Sequence, residues 1–391
     1  MGALDGITVI EAGLLIQGPQ AAATLAEWGA AVTKVELPRF GDQARSLPLG
    51  PGERRSAYFE ANNRGKRSVT LDLRRPEGRR VLLQLLQGAD VLVANFTPGT
   101  LERWGLGYHE VAAVNPRLVY ALGSTFGTEG AGAGRGGADL SGQAAGGLAA
   151  GTGPAGHPTP VGTTIADHVA AQNLLAGILA ALVARQRTGR GQQVTTSLLG
   201  GQIWAQAAEY TAALAAGRQL PPADRGHALI PGIYGIFPTA DGWIALVGVA
   251  GSMRRRLYAE LGRPDLEERF PQRIYWDAEK ARLFPILDEV FAAATTAEWC
   301  RRLDAADVRC APVRDRAQVV ADPDVWANGY LTEVDGPEGP TAVVAVPVAF
   351  SATPARPHPR APQLGEHTDE VLVEAGYRAE EIEHLRQVGV L

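Results

Sequence analysis

An aspartate at position 167 stands where a short β-branched run meets a long apolar helix pattern, and its carboxylate is the chain's first candidate for chemistry. Residues 161–168 read VGTTIADH. Behind them Leu174, Leu175, Ile178, Leu179, Leu182 and Val183 recur at intervals of three and four, the spacing of one buried helix face. Small residues (Ala170, Ala171, Ala176, Gly177, Ala180, Ala181) let such a helix pack closely, and Arg185, Arg187 and Arg190 gather at its C-terminal end, as the macrodipole favours. Asp167 is thereby placed at a helix N-terminus. Its plain role there is a cap, worth roughly 1 kcal/mol. Its other role is covalent. An aspartate ordinarily titrates near pH ~3.9, and a helix N-terminus favours ionisation further. Serving as a general acid would need that value raised by about three against the push, whereas a nucleophile needs only the exclusion of water. A chemical Asp167 attacks.

The elements that must hold it follow from hydrophobic patterning. Residues 7–10, 32–35, 68–71, 91–94 and 118–122 read as short buried strands, and helical patterns alternate with them through 28, 76–86 and 100–105. Residues 194–197 add a last strand, followed by a helix over 198–216. Such alternation predicts an α/β fold with a parallel sheet covered on both faces, whose ligands sit beyond the carboxyl ends of the strands. Residues 11–17, 36–42, 95–96 and 123–127 fall there. Residues 132–137 (GAGRGG) formally contain GxGxxG, but no helix follows closely and the first strand's turn lacks the fingerprint, so a dinucleotide site is rejected. Residues 64–80 carry seven basic residues against Asp72 and Glu77. Within them, residues 62–67 (NNRGKR) precede a strand and read as a loop for a phosphorylated ligand.

Past a linker at 217–228 the composition shifts. Residues 234–238 and 243–247, joined through Asp241-Gly242, read as a hairpin; helical patterns cover 253–261, 278–294 and 296–306, and 308–312 is a strand. The domains are expected at 1–216 (large), 229–330 (small α+β) and 331–391. That last piece is a Pro-rich extended return and two helices lying on the large domain.

The chain has 391 residues with 46% hydrophobic content, enough for two domains with real cores. A formal charge of −5 argues against a general nucleic-acid binder. Cys300 and Cys310 are ten apart with no CxxC, so neither a disulfide framework nor a zinc site is expected. No secretory leader, lipid-anchor motif or run of about 18 apolar residues is read, so a cytoplasmic protein without membrane contact is expected.

In order, Gln17-Gly18-Pro19, Val35-Glu36 with Gly41-Asp42, Asn63 with Lys66-Arg67-Ser68-Val69, Leu71-Asp72, Asn95-Phe96 with Pro98-Gly99 and Arg103-Trp104-Gly105 occur in the first part. Asp167 with Thr188-Gly189-Arg190-Gly191-Gln192, Tyr234-Gly235 with Asp241-Gly242, Pro312-Val313, Asp322-Pro323 and Leu364-Gly365-Glu366-His367-Thr368 follow. Together these resemble the class III coenzyme A transferases, a family that includes formyl-CoA and carnitine CoA-transferases and α-methylacyl-CoA racemase. The resemblance implies an interlocked homodimer with a Rossmann-like large domain, and CoA transfer from an acyl-CoA to a carboxylic acid without a metal. It makes Asp167 the nucleophile, puts Gln17 on the acyl or carboxylate oxygen, and lets Asp139 support Asp167. Arg39, Lys66, Asn95, Phe96 and Arg103 would contact the CoA nucleotide. An α-methylacyl-CoA racemase-like epimerase is the alternative within the family, but the matching Gly-His-Asp turn here is Gly137-Ala138-Asp139, without the histidine. His168 would project about 100° from Asp167 around a helix. A non-catalytic CoA-ester binder, with Asp167 only a cap, is the alternative outside it. The family's glycine-rich flap is weakly matched at residues 225–232.

Overall fold

The computed structural model describes residues 1–47, 56–222, 225–227, 229–230, 232–271, 277–336 and 339–391. Parts of the expected linker and flap (residues 223, 224, 228 and 231) lie outside them. In chain order the first elements are β1 (Thr8–Ala12), α1 (Gln17–Glu27), β2 (Ala31–Glu36), α2 (Ala57–Asn63), β3 (Arg67–Thr70), α3 (Pro76–Gln87), β4 (Val91–Ala94), α4 (Thr100–Arg103), α5 (Tyr108–Val114) and β5 (Val119–Ser124). A glycine-rich loop leads to α6 (Asp139–Ala145), α7 (Leu148–Gly151), α8 (Ile165–Thr188), β6 (Gln193–Ser197), α9 (Leu198–Ala205) and α10 (Ala207–Ala216).

The six strands form one parallel sheet in the order β3-β2-β1-β4-β5-β6. This is the doubly wound order whose direction reverses between β1 and β4, where Ala12 lies beside Ala94. Near-continuous apolar strands suit a sheet buried on both sides. Val9, Val91, Val93, Val119 and Ala121 face Ala21, Ala22 and Leu25 of α1 and Leu174, Leu175, Ile178 and Leu182 of α8. Ile10, Val35, Leu92, Tyr120 and Leu122 point the other way, onto Val81, Leu82 and Leu86 of α3 and Val111 of α5.

Helix α8 is the expected apolar helix, with three corrections. Its cap position is Thr164, so Asp167 is the third residue of the helix and not its cap. Val183 is 58% exposed and lies off the buried face. By length and composition the helix could cross a membrane, contrary to the sequence expectation; here that composition packs against the sheet. The Thr188–Gln192 motif is structural. Gly189, at φ +70°, ends α8 by donating to the Arg185 carbonyl (2.8 Å), and a Cβ on Gly191 would lie 1.9 Å from the Leu118 carbonyl oxygen.

The chain divides into two compact units: residues 1–146, 162–205 and 323–391, and residues 147–161 and 206–322. Residues 147–161 thus leave the expected large domain, its end falls inside the expected 198–216 helix, between α9 and α10, and the return begins at Pro323 and not at 331. In the second unit β7 (Ile233–Pro238) and β8 (Trp243–Val249) form the expected antiparallel hairpin, and β9 (Cys310–Pro312) adds to β8. Helices α11 (Gly251–Glu260), α12 (Asp265–Arg269), α13 (Asp277–Phe291) and α14 (Thr296–Ala305) complete an aromatic core around Phe237, Phe284, Phe291 and Trp299; α15 (Arg316–Val320) follows. Both cysteines are free thiols.

The returning segment holds α16 (Pro323–Ala327) and an unanticipated hairpin of β10 (Leu331–Gly336) and β11 (Gly339–Val344). It then runs irregularly over the first unit: Phe350 packs edge-on to Trp28 (5.4 Å), Arg356 N–H donates to the Glu27 carbonyl, and Gly365 N–H donates to Ser68 Oγ. Helices α17 (Thr368–Glu374) and α18 (Ala379–Gln387) close the α3 face of the sheet through Leu372, Ile382 and Leu385.

Candidate active site

The first turn of α8 has free amides, and a second acid takes them. Asp139, the first residue of α6, is buried; its Oδ1 accepts from Ala166 N–H (2.7 Å) and Asp167 N–H (3.2 Å), and its Oδ2 accepts from Gln143 Nε2 (2.6 Å). Asp139 is thus the side-chain cap of α8, supplied from another helix. With those amides spent, the half-buried Asp167 carboxylate receives no hydrogen bond among the described residues. Burial, and next the nearby Asp139 carboxylate, push its pKa up to about 7. This corrects the expectation of an unshifted, fully ionised group: the positive end of the helix faces Asp139 first.

The neighbouring imidazole is locked. His168 Nδ1 lies 2.8 Å from Gln20 Oε1 on α1 and Nε2 lies 3.2 Å from Thr164 Oγ1. An amide oxygen only accepts, so Nδ1 carries the proton and Nε2 accepts from the threonine hydroxyl. Burial holds this ring's pKa below the ordinary histidine value, so it stays neutral. It is not a second base facing Asp167, and the cap position of α6, where a racemase histidine would stand, is Ala138.

Gln17 opens α1 and is buried. Its Nε2 donates to the Ser124 carbonyl at the carboxyl end of β5 (3.3 Å), and its Oε1 lies over Gly123, where a Cβ would come within 2.3 Å. The loop that delivers Gln17 sits at the reversal of strand order and is built by side chains. Glu11 Oε1 accepts from Gly13 N–H (2.8 Å), and Lys34 Nζ donates to the Gly13 carbonyl (2.9 Å). Asn95 clamps Leu14, accepting from its N–H (2.7 Å) and donating to its carbonyl (2.8 Å). Asp42 Oδ1 accepts from Leu15 N–H (3.0 Å).

Beneath this loop lies a buried ionic network. Lys34 Nζ is 3.0 Å from Glu11 Oε1 and 3.0 Å from Asp42 Oδ2, with all three side chains fully buried. Lys66 Nζ donates to Glu11 Oε2 (3.0 Å), the Pro19 carbonyl (2.8 Å) and Asn63 Oδ1 (2.8 Å). Two ammoniums face two carboxylates, so the buried charges balance. Burial outweighs the help of Glu11 and brings the Lys66 pKa down to about 8. Burial would raise the Asp42 carboxyl, but Lys34 and the Ala44 and Leu15 amides outweigh it and hold that group below the ordinary range.

The basic loop expected at 62–67 is therefore not an open anion cradle. Lys66 has no donor left to offer. Arg64 is buried and donates to Glu27 and the Val344 carbonyl, and Arg67 pairs with Glu370 and Glu374. Asn95 likewise spends its Oδ1 and one Nδ2 hydrogen on Leu14. Phe96 packs edge-on to Trp104 (5.5 Å) at the border of the sheet core. Arg103 is exposed and donates to Thr100 Oγ1 (2.9 Å). Arg39 is exposed, at φ +68°, and with Pro38, Thr70, Gly365, Thr368 and Arg386 lines a cavity of about 420 Å³. The structure thus joins Asp167 to Asp139, anchors Gln17 on β5, and leaves Arg39 and Arg103 facing solvent. Sequence reading missed Lys34 and Gln20, whose roles depend on partners far away in the chain, and Gln143, which bonds Asp139 one helical turn before it.

A reversing parallel sheet thus carries an unpaired, half-buried carboxylate on the helix beside it. Residues 4–368 match the model of CoA-transferase family III. The chain is 36% identical to the succinyl-CoA–L-malate CoA-transferase beta subunit of Chloroflexus aurantiacus, over 99% of this chain and 98% of that one. It is 32% identical to a formyl-CoA:oxalate CoA-transferase of Streptomyces coelicolor, over 100% and 99%. The crystal structure of a CAIB/BAIF family protein from Brucella suis superposes with a TM-score of 0.84 at 32% identity, over 96% and 99%. The chain belongs to CoA-transferase family III. It is an enzyme, and the resemblance read from its motifs holds over nearly its whole length.

Proposed function

We propose that Asp167 is the nucleophile of a CoA transfer between an acyl-CoA and a carboxylic acid. The observation that carries this reading is a half-buried carboxylate left without a donor, while Asp139 absorbs the amides that would have quenched it. A carboxylate oxygen attacks the thioester carbon, the C–S bond breaks, and CoA leaves as thiolate from a mixed anhydride. The thiolate then attacks the aspartyl carbonyl and releases the donor's carboxylate, leaving an aspartyl-CoA thioester. An acceptor carboxylate attacks that thioester, freeing CoA thiolate again. The thiolate takes the acceptor acyl group from the new anhydride and restores Asp167. Gln17 holds the acyl oxygen, and amides near it and in the glycine loop after β5 stabilise the tetrahedral oxyanions. Arg39, Phe96 and Arg103 contact the CoA nucleotide; Lys66 and Asn95 act through the loop they hold. Both named relatives use a dicarboxylic acid, malate or oxalate, which supports a short dicarboxylate as acceptor here. The same reading makes the protein a cytoplasmic interlocked homodimer.

Trapping tests it. After incubation with an acyl-CoA chosen from a dicarboxylic and short-chain panel, borohydride or hydroxylamine should modify the peptide carrying Asp167, as read by mass spectrometry. Unmodified protein with bound CoA ester would favour a binder, and deuterium entering the α carbon would favour racemisation.

Two further outcomes follow from the geometry. The anhydride-forming step needs Asp167 ionised, so kcat/KM should rise with pH through about 7 and then level. Asp139→Asn removes the like charge and should move that limb to lower pH. A limb that stays in place in Asp139→Asn would show that the two acids are not coupled. Gly123→Ala, by displacing the Gln17 amide, should slow exchange by about 10²-fold at a stability cost within about 2 kcal/mol. Unchanged exchange in that variant would remove Gln17 from the mechanism.

A further inference from the structure

Leu15 adopts φ +62°, a conformation that residues other than glycine, asparagine and aspartate seldom take. Two groups keep it there. Its side chain packs against Ala44, Phe59 and Ala361, and its N–H is held by the fully buried Asp42 carboxylate, at 3.0 Å from Oδ1 and 3.2 Å from Oδ2. Two residues later the chain enters α1 at Gln17. Asp42 is itself fixed from three sides: Lys34 Nζ at 3.0 Å, Ala44 N–H at 2.9 Å, and its own N–H donating to Glu36 Oε2 at 3.0 Å. Backbone held in a sparsely populated region by buried charge, next to a site, is the pattern in which strain serves geometry.

We infer that Asp42 is a positioning residue for turnover: its carboxylate holds Leu15 in the left-handed conformation and so fixes where Gln17 meets the substrate. This rests on the reading of Gln17 and Asp167 as the reacting site. Asp42 touches neither substrate nor the reacting atoms; of the two amides it accepts from, Leu15 and Ala44, its contribution to turnover is the hold on Leu15. The charge of the carboxylate serves Lys34. The two duties separate by substitution, because asparagine keeps the acceptor and drops the charge.

The test is therefore a set of three variants of the full chain, each measured for exchange kinetics, melting temperature and amide hydrogen exchange. Asp42→Asn should keep kcat within about threefold of the parent, whatever it loses in melting temperature. Asp42→Ala should lose about 30-fold in kcat with KM for acyl-CoA within about twofold. Adding Leu15→Gly to Asp42→Ala should recover about tenfold of that loss, since glycine takes φ +62° without a carboxylate. Equal losses in the asparagine and alanine variants would make Asp42 merely a partner of Lys34 and overturn the proposal. So would a loss confined to KM, or the absence of rescue by glycine. If the parent shows no exchange with any acyl-CoA, the functional reading has failed separately. Amide exchange then decides the positioning claim: protection at Leu15 and Gln17 kept in Asp42→Asn and lost in Asp42→Ala supports it, and equal protection in both refutes it.

Discussion

Replacing Asp167 with asparagine should abolish CoA exchange and make the protein more stable. Losing a covalent nucleophile costs at least about 10⁴-fold in kcat, because the remaining residues can bind but cannot form the anhydride. The stability gain follows from protonation. The folded Asp167 titrates near about 7, against 3.8 for the free side chain. Between those values the folded state holds more protons than the unfolded one, so stability falls as pH rises through that window. At pH 8 the cost is fully present. A shift of this size corresponds to about 4 kcal/mol in a fully buried group, and partial solvent exposure brings that to roughly 1–2 kcal/mol. Asparagine removes the charge with almost no change in shape. Thermal melts of the two proteins should therefore diverge at pH 8 and converge toward pH 4. An active Asp167→Asn enzyme would end the covalent mechanism, and a variant less stable at pH 8 would show that the buried Asp167 charge does not destabilise the fold.

That pairing of lost activity with gained stability could not have been read from the chain alone, and the reason is specific. The apolar stripe from Leu174 to Leu182 announces a buried helix, and that local signal is met; of the small residues expected to allow close packing, Ala170, Ala171 and Ala181 are buried while Ala176 and Ala180 are exposed. The protonation of Asp167 depends first on its burial and then on Asp139, 28 residues earlier, which occupies the amides expected for Asp167 itself. The basic loop at 62–67 misleads for the same reason. Its arginines and lysine look like an anion loop until Glu11, Glu27, Glu370 and Glu374 arrive from distant segments to pair with them. The hairpin of β10 and β11 was missed because its residues are half-buried at most, apart from Val343, and carry no alternating apolar signal strong enough to mark a strand.

Lys34 shows what such long-range balance is worth. A lysine in the middle of a strand reading AVTKVE would ordinarily be taken as a solvated position, yet it is fully buried. Its charge and that of Lys66 are balanced by Glu11, which touches both, and by Asp42 beside Lys34. Glu11→Gln should therefore destabilise the protein by about 3–5 kcal/mol near neutral pH, since it strands buried positive charge and weakens the hold on Gly13. The sign of the pH dependence follows from Lys66. Its folded pKa, about 8, lies below the ordinary 10.5, so the unfolded chain holds more protons between the two and stability rises with pH across that range. Without Glu11 the folded pKa drops further and the rise starts earlier, so the gap between variant and parent should narrow as pH approaches about 9. Adding Lys66→Met to Glu11→Gln should recover part of the loss by removing the stranded ammonium. Denaturant unfolding at pH 7 and pH 9 reads all three proteins. If the double variant is no more stable than Glu11→Gln alone at pH 7, the damage lies in the Gly13 loop and not in the unpaired charge.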